Sequence, residues 1–502
     1  MSLRLAGWGA ASLLWLAPGM TLELARFTFM PRYAQEIHTH IGGDVIAAVS
    51  GEVAWRVEHG EATVFRAPVE GAAASNRTPP RPSHSVRCRS RLGAPMSANH
   101  TGRNLRLLYA FWFLRDFQLW IPVWIVFLTL DRGFSLTEVT VAEGLFLVAV
   151  VALEVPTGAV ADRWGRSTSL ALGALVLGVS VLLFALINSF ALLLICFILW
   201  SLASTLMSGA DTALLFDTLK AAGREGEYER FAGRGIAMRW GGAALATLLG
   251  GPVAALTDVS LTIYIGAATC VLTALVAFAI WEPPHRPATP EPHETAGYWR
   301  AIGHAFGDAW RSSELRTVIL LTGVTFAALE SVGYLTQPYL VDRGLEVGVL
   351  FSLLQVPLIF AGVVGSLYAV RVQRRAGNAA TLLGIPLAGG VFFVALAVTP
   401  GLGAYAVLPL VYVLSSSLQP IATGYINRRV GSERRATILS IHSMSASLTL
   451  AALSPALGFT TDEWGIPWAF ALSASVAFAA VVLFGLQVPR GVREVELLPA
   501  AA

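Results

Sequence analysis

Lysine is almost missing from this sequence: Lys220 stands alone, and arginine supplies the rest of the positive charge. Charge of either sign is scarce too, at 13% of 502 residues, where a soluble domain carries about 25%. With 55% of the residues hydrophobic, a water-soluble surface could not be covered. The net charge of only +3 provides no basic footprint, so nucleic acid is not an expected partner. The three cysteines, Cys88, Cys196 and Cys270, are odd in number and lack motif spacing. They imply neither a disulfide framework nor a metal site. The sequence has no G-x-x-x-x-G-K-[ST] loop, which argues against ATP-driven work in cis, and no nucleophile elbow or H-E-x-x-H. An enzyme is therefore not expected, and no cofactor is implied.

What is present is a series of long apolar runs, each of the length that spans a bilayer. Twelve follow one another from Leu105 onward. Six lie in 105–281 and six in 316–488, separated by a central loop over 282–315 and followed by a tail over 489–502. The loop is proline-rich at first. It then turns amphipathic, with Trp299, Ile302, Phe306 and Trp310 on one helical face, as in a helix lying on a membrane surface. Residues 1–65 form a separate leader, and 66–104, rich in proline, serine, arginine and alanine, read as a disordered linker.

Arginines fix the expected orientation. Alternate loops carry Arg163 and Arg166, then Lys220, Arg224, Arg230 and Arg234, then Arg286, Arg300, Arg311 and Arg316. Arg371, Arg374 and Arg375 follow, then Arg428, Arg429, Arg434 and Arg435, while the opposite set of loops holds only Arg132 and Arg343. Both ends of the twelve-span unit are thus expected in the cytoplasm, with the protein in the inner (plasma) membrane. The chain also repeats itself. Leu130-Asp131-Arg132-Gly133 closes the first run and Val341-Asp342-Arg343-Gly344 the seventh. Gly158 after the second run is matched with Gly365 after the eighth, which gives a parallel six-plus-six repeat.

Between the second and third runs stands Gly158-Ala159-Val160-Ala161-Asp162-Arg163-Trp164-Gly165-Arg166, expected as a tight loop. In a chain of many spans, this G-x-x-x-D-R-x-G-R resembles the signature loop of the major facilitator superfamily of transporters. The resemblance implies an all-α fold of twelve transmembrane helices in two six-helix bundles that rock about a central cavity. It implies that Asp162 locks the outward-facing state through the N-terminal dipole of the eleventh span, near Ala436. Asp217 matches the position that exchanges charge with this loop. Gly158, Arg163, Gly165 and Arg166 complete the gating set, although plain inside-positive loop charges also explain the arginines. Gly241, Gly242, Gly250, Gly251 and Pro252 partly resemble the glycine-proline motif of the superfamily's antiporters. Ala255 and Leu256 stand where glycines are expected, and small residues favour close helix packing in any case. In the leader, His38-Thr39-His40, then Asp44 and Gly51, resemble half of a cupin sensor domain of arabinose-regulator-type transcription factors.

An ionisable side chain inside a span carries a penalty of about 2.5–3.5 kcal/mol or more and needs a reason. Arg115 and Asp116 lie in the first span, where helical spacing places Tyr109, Phe113, Asp116 and Trp120 on one face. That is a setting for an amphipathic or cationic solute and for proton exchange; a fixed ion pair is the other reading. Glu330 in span seven has no cation in its own span. Glu143 lies one turn inside the outer face. Asp211 could line the cavity or bond Ser204 and Ser208. Arg239 could pair with Asp211 or with an anionic substrate, and His442 sits among serines. Together these residues suggest a proton-coupled secondary transporter, with small amphipathic molecules, protons and the lipid bilayer as partners, acting as a monomer. Efflux by antiport is the leading expectation. The alternatives are uptake symport of a nutrient and, in another class, a membrane-anchored sensor using the leader.

Overall fold

The computed structural model describes residues 98–283 and 311–487, together with the backbone of seven short strands within the first 65 residues. The chain divides into two compact units, Met1–Pro95 and Met96–Ala502. In the first unit, Ala10–Leu16 (β2) and Leu22–Thr28 (β3) pair as an antiparallel hairpin. Leu3–Arg4 (β1), Gln35–Thr39 (β4), Val45–Val49 (β5), Val53–Glu58 (β6) and Glu61–Phe65 (β7) form an antiparallel sheet in the order β1-β4-β5-β6-β7. In this sheet His38 pairs opposite Ile46. The side chains of the H-x-H pattern lie outside the described residues, as do the amphipathic stretch from Trp299 to Trp310 and the tail.

The second unit is helical. Its first half comprises α1 (Ala98–Asp116, continued by short 3₁₀, α and π turns to Asp131), α2 (Leu136–Trp164) and α3 (Arg166–Ala185). It is completed by α4 (Phe190–Met207, resuming at Ala210–Ala221), α5 (Tyr228–Leu256) and α6 (Val259–Phe278). The second half comprises α7 (Ser313–Asp342), α8 (Val349–Ala376), α9 (Asn378–Val398), α10 (Leu408–Arg429), α11 (Ser432–Trp464) and α12 (Ile466–Phe484). Among the described residues, eleven helical segments are long and apolar enough to cross a membrane. The remaining member of the twelve is α5, long enough at 29 residues but diluted by glycines and by Arg230, Arg234 and Arg239.

Local sequence signals set the helix ends. Ser135 and Glu138 form a reciprocal capping box at the start of α2. Asp258 caps α6 by accepting from the Ser260 N–H at 2.6 Å, and hydrogen bonds from Ser260 hold its carboxyl below the usual range. The expected loop over Gly158–Arg166 is corrected. α2 runs through Gly158 to Trp164, and Gly165 alone, at φ +97°, separates it from α3. Likewise α1 begins at Ala98, inside the segment read as linker. Asn104 is buried and exchanges hydrogen bonds with the backbone of Trp281, donating at 2.8 Å and accepting at 3.1 Å.

The two halves repeat the same neighbours. α1 packs on α5 and α6 as α7 packs on α11 and α12, and α3 on α6 as α9 on α12; α2 meets α4 as α8 meets α10. Positive-φ glycines fall at equivalent turns: Gly133 with Gly344 and Gly165 with Gly377, each pair about 210 residues apart. This replaces the Gly158–Gly365 match. Gly365 is packed against the Val413 backbone, whereas Gly158 has open space around it, so the helix-ending glycine is the true equivalent. The halves meet where α2 packs on α11 and α5 on α8. Glycine permits both approaches. A Cβ on Gly458 would strike Thr140 and the Leu136 carbonyl, and one on Gly251 would strike Ser352 and the Gly348 carbonyl.

Candidate functional site

The first half carries a neutral charge network. Arg239 of α5 reaches Asp116 at 2.7 Å, and Arg115 approaches Asp211 of α4 at 3.4 Å. The Trp112 indole also donates to Asp211 at 2.9 Å. Asp116 therefore has a cationic partner on a neighbouring helix. Asp211 is buried against Trp112 and Arg115, not bonded to Ser204 or Ser208. Arg239 takes Asp116 instead of Asp211. The shared aromatic face is broken as well, because α1 stops at Asp116. Beyond that point Trp120 turns into the core against Phe184 and Trp200, its indole donating to Gln118 at 3.0 Å.

That break in α1 matters for the seam. Pro122 lacks an N–H, and the short 3₁₀ turn Ile121–Val123 leaves backbone groups to be satisfied from outside the helix. Two glutamines of the other half do so. Gln337 of α7 donates to the Ile121 carbonyl at 2.9 Å and accepts from the Ile125 N–H at 3.1 Å, and Gln355 of α8 donates to the Pro122 carbonyl at 3.1 Å. Asp462 of α11 accepts from the N–H groups of Leu136 and Thr137, and the Gly251 N–H donates to Ser352 at 2.9 Å. All of these contacts between halves lie in the arginine-poor half of the bundle.

Glu330 stands near the middle of α7. It accepts a hydrogen bond from Ser415 of α10 at 2.5 Å, and no basic side chain pairs with it among the described residues. One turn along the same face, the Tyr334 hydroxyl lies beside Glu143 of α2, in the opposite half. This face therefore looks toward the other bundle, and although Glu330 lies deep in the protein its side chain is exposed there. Tyr412, which bonds Thr336 at 3.1 Å, also lies close enough to Glu330 to feel its charge. Glu330, Glu143 and the Tyr334 phenol thus stand toward the meeting of the halves, with Tyr412 beside Glu330 in the second half. His442 is buried, its Nε2 lying 3.0 Å from the Thr322 hydroxyl, while its Nδ1 has no hydrogen-bond partner among the described residues.

At the arginine-rich end, Arg166 pairs with Asp217 and also donates to the Ala213 carbonyl at 2.8 Å. Glu282 caps α3, accepting from the N–H groups of Arg166 at 2.9 Å and Ser167 at 2.7 Å. A Cβ on Gly165 would press on that carboxylate. Asp162 and Arg163 are exposed. Gly250 lets α5 touch the Leu119 backbone, Gly251 lets it touch α8, and Pro252 follows inside the helix. Sequence reasoning missed Gln355, Ser415, Glu282 and Asp462. Each acts on a helix distant in sequence, and only a polar residue in an apolar run marked the first two.

The sequence profile of the Major Facilitator Superfamily matches residues 107–416. Over 108 residues the chain is 28% identical to an uncharacterized MFS-type transporter, YxaM, of Bacillus subtilis (strain 168). That stretch is 21% of this chain and spans only 27% of that relative's length. Among solved structures, the nucleoside transporter NupG is similar at a TM-score of 0.67 and 14% identity, over 77% of this chain and 100% of the other. A bacterial homologue of the human lysosomal transporter Spinster, in an inward-facing and unoccupied conformation, is similar at 0.59 and 17%, over 78% and 96%. At these identities the likeness is one of fold.

Proposed function

We propose, from the premise that this chain belongs to the Major Facilitator Superfamily and is a multi-pass membrane transporter, that it exchanges protons for small amphipathic molecules and exports them by alternating access. Glu330 carries the proton. The observation behind this reading is an acid with no cationic partner among the described residues, exposed deep in the protein where the two halves face each other. A carboxylate so placed is costly when charged and dry, and inexpensive when protonated or wet. Its protonation state then follows the side to which the cavity opens. Ser415 holds the carboxyl on α10, and Tyr334 and Tyr412 provide the apolar-bodied, polar-tipped walls that suit an amphipathic solute. The glycine-proline stretch of α5, partly like that of the superfamily's antiporters, supports export. With the arginine-rich end placed in the cytoplasm, the contacts between halves shut the outer side.

Asp116, Arg115, Asp211 and Arg239 serve this mechanism as a neutral network that ties α1, α4 and α5 together. Arg166, Asp217 and Gly165, with Asp162, Arg163 and Gly158, form the cytoplasmic hinge and gate. The test is transport into everted vesicles under an imposed pH gradient. Glu330→Gln is expected to abolish gradient-driven accumulation while leaving substrate exchange between the two sides in place. Accumulation that persists in Glu330→Gln with its pH dependence intact overturns the assignment. Gradient-driven movement in the opposite direction favours the uptake symporter.

A further inference from the structure

We infer that Asp462 is a positioning residue that holds the arginine-poor end of the seam shut, as the counterpart of Asp162 at the other end. The inference rests on the reading of the chain as an alternating transporter. α2 and α11 lie antiparallel along the seam in a steady register. Leu136 meets Asp462, Thr140 meets Gly458 and Gly144 meets Ser454, one step back on α11 for each step forward on α2. Continued along both helices, this register places Asp162 opposite Ala436, in the first turns of α11. Asp462, near the C-terminus of α11, thus sits at the N-terminus of α2, where free N–H groups and the helix dipole favour an anion; the same register would set Asp162, near the C-terminus of α2, at the N-terminus of α11 once that end closes.

The sequence carries the same device twice. Asp162-Arg163-Trp164-Gly165 ends α2, and Asp462-Glu463-Trp464-Gly465 ends α11. Both glycines have positive φ, +97° and +90°, and both tryptophans are exposed. The ends of the two helices are thus built alike, yet they are differently engaged. Asp462 accepts from the Leu136 N–H at 3.0 Å, the Thr137 N–H at 2.7 Å and the Thr137 hydroxyl at 2.6 Å. Asp162 is exposed and makes no hydrogen bond or ion pair among the described residues. One latch is closed and the other open, as alternating access requires of two contacts that cannot both form at once. Gly458 and Gly144 bring the helices close enough for the closed latch to reach.

The experiment measures distances between paired spin labels in the full chain, without substrate or a proton gradient. One pair, at exposed Leu130 and Val398, reports the arginine-poor end; the other, at exposed Phe216 and Val372, reports the arginine-rich end. Losing three charge-assisted bonds at an exposed carboxylate should shift the ratio of the two states about three- to tenfold. Asp462→Ala is expected to add a longer distance at the first pair and a shorter one at the second, and Thr137→Val to shift the ratio the same way by less. The variant carrying both Asp462→Ala and Asp162→Ala is expected to return toward the parent ratio, which a merely structural defect would not do. If Asp462→Ala does not fold, Thr137→Val decides. Distances unchanged in the variants that fold, or a double variant that stays with Asp462→Ala, overturn the inference. Glu330 is unchanged in every one of these variants, which are compared at a single pH, so failure of its proton-carrying role shows in the vesicle assay and not in these distances, and the reverse also holds.

Discussion

At the scale of single residues, the first span shows why a charged side chain in an apolar run is ambiguous until its neighbours are known. Asp116 and Glu330 look equivalent in sequence, each an acid among aromatics in the first helix of its half. Arg239 pairs with Asp116 at 2.7 Å, whereas Glu330 accepts from the Ser415 hydroxyl and has no basic partner among the described residues. Removing one member of a buried pair costs about 3–5 kcal/mol because the other charge is left stranded. Here both side chains are partly exposed, so solvent screening lowers the expectation to about 1–2 kcal/mol. Asp116→Asn should therefore lower thermal stability in detergent, and adding Arg239→Gln should recover most of it with gradient-driven transport retained. A double variant that is stable but no longer couples to the pH gradient would return Asp116 to the proton pathway.

At the scale of helices, unwinding and close approach do the work. α1 could have continued as a regular helix through Asp116, but Pro122 and the short 3₁₀ turn interrupt it, and Gln337 and Gln355 satisfy the exposed backbone. The same economy governs α5. Its glycines look alike in sequence, yet only some face a neighbour. Gly251→Val would drive two methyl groups into Ser352 and the Gly348 carbonyl, whereas Gly241→Val meets open space. Overpacking of this kind typically costs about 1–3 kcal/mol. The first substitution should lower the unfolding temperature and weaken the α5–α8 contact, and the second should change stability little. Equal effects would mean that helix propensity, not the seam, sets the outcome.

At the scale of the whole molecule, a repeated six-helix unit meets its copy through two matching contacts, α2 with α11 and α5 with α8. Arginine placement gives the assembly a direction. If Arg132→Cys and Arg163→Cys are each treated with a membrane-impermeant maleimide in intact cells, only the former should react; with everted vesicles the pattern should reverse. Reaction of both from one side would contradict the topology. The interior is not uniform. The described hydrogen bonds between halves gather at the arginine-poor end, and the acid pair Glu330 and Glu143 lies deeper on the same facing surfaces. This is the distribution expected of a molecule resting in one of two alternate closures.

The sequence alone determined the membrane, the count of spans, the repeat and the family, because each depends on composition or on spacing along one chain. Runs of apolar residues bury backbone polarity inside helices wherever they sit, so they declare themselves without reference to any partner. It also marked the stretch from Gly158 to Arg166, though not that all of it but Gly165 and Arg166 finishes α2. Only the tertiary structure decided which acids are neutralised, which glycines are contacts and which polar groups close the seam. Arg239 lies more than a hundred residues from Asp116, and Asp462 more than three hundred from Thr137. The strength of such pairs depends on a few ångströms between helices, a quantity fixed by packing and absent from the order of residues.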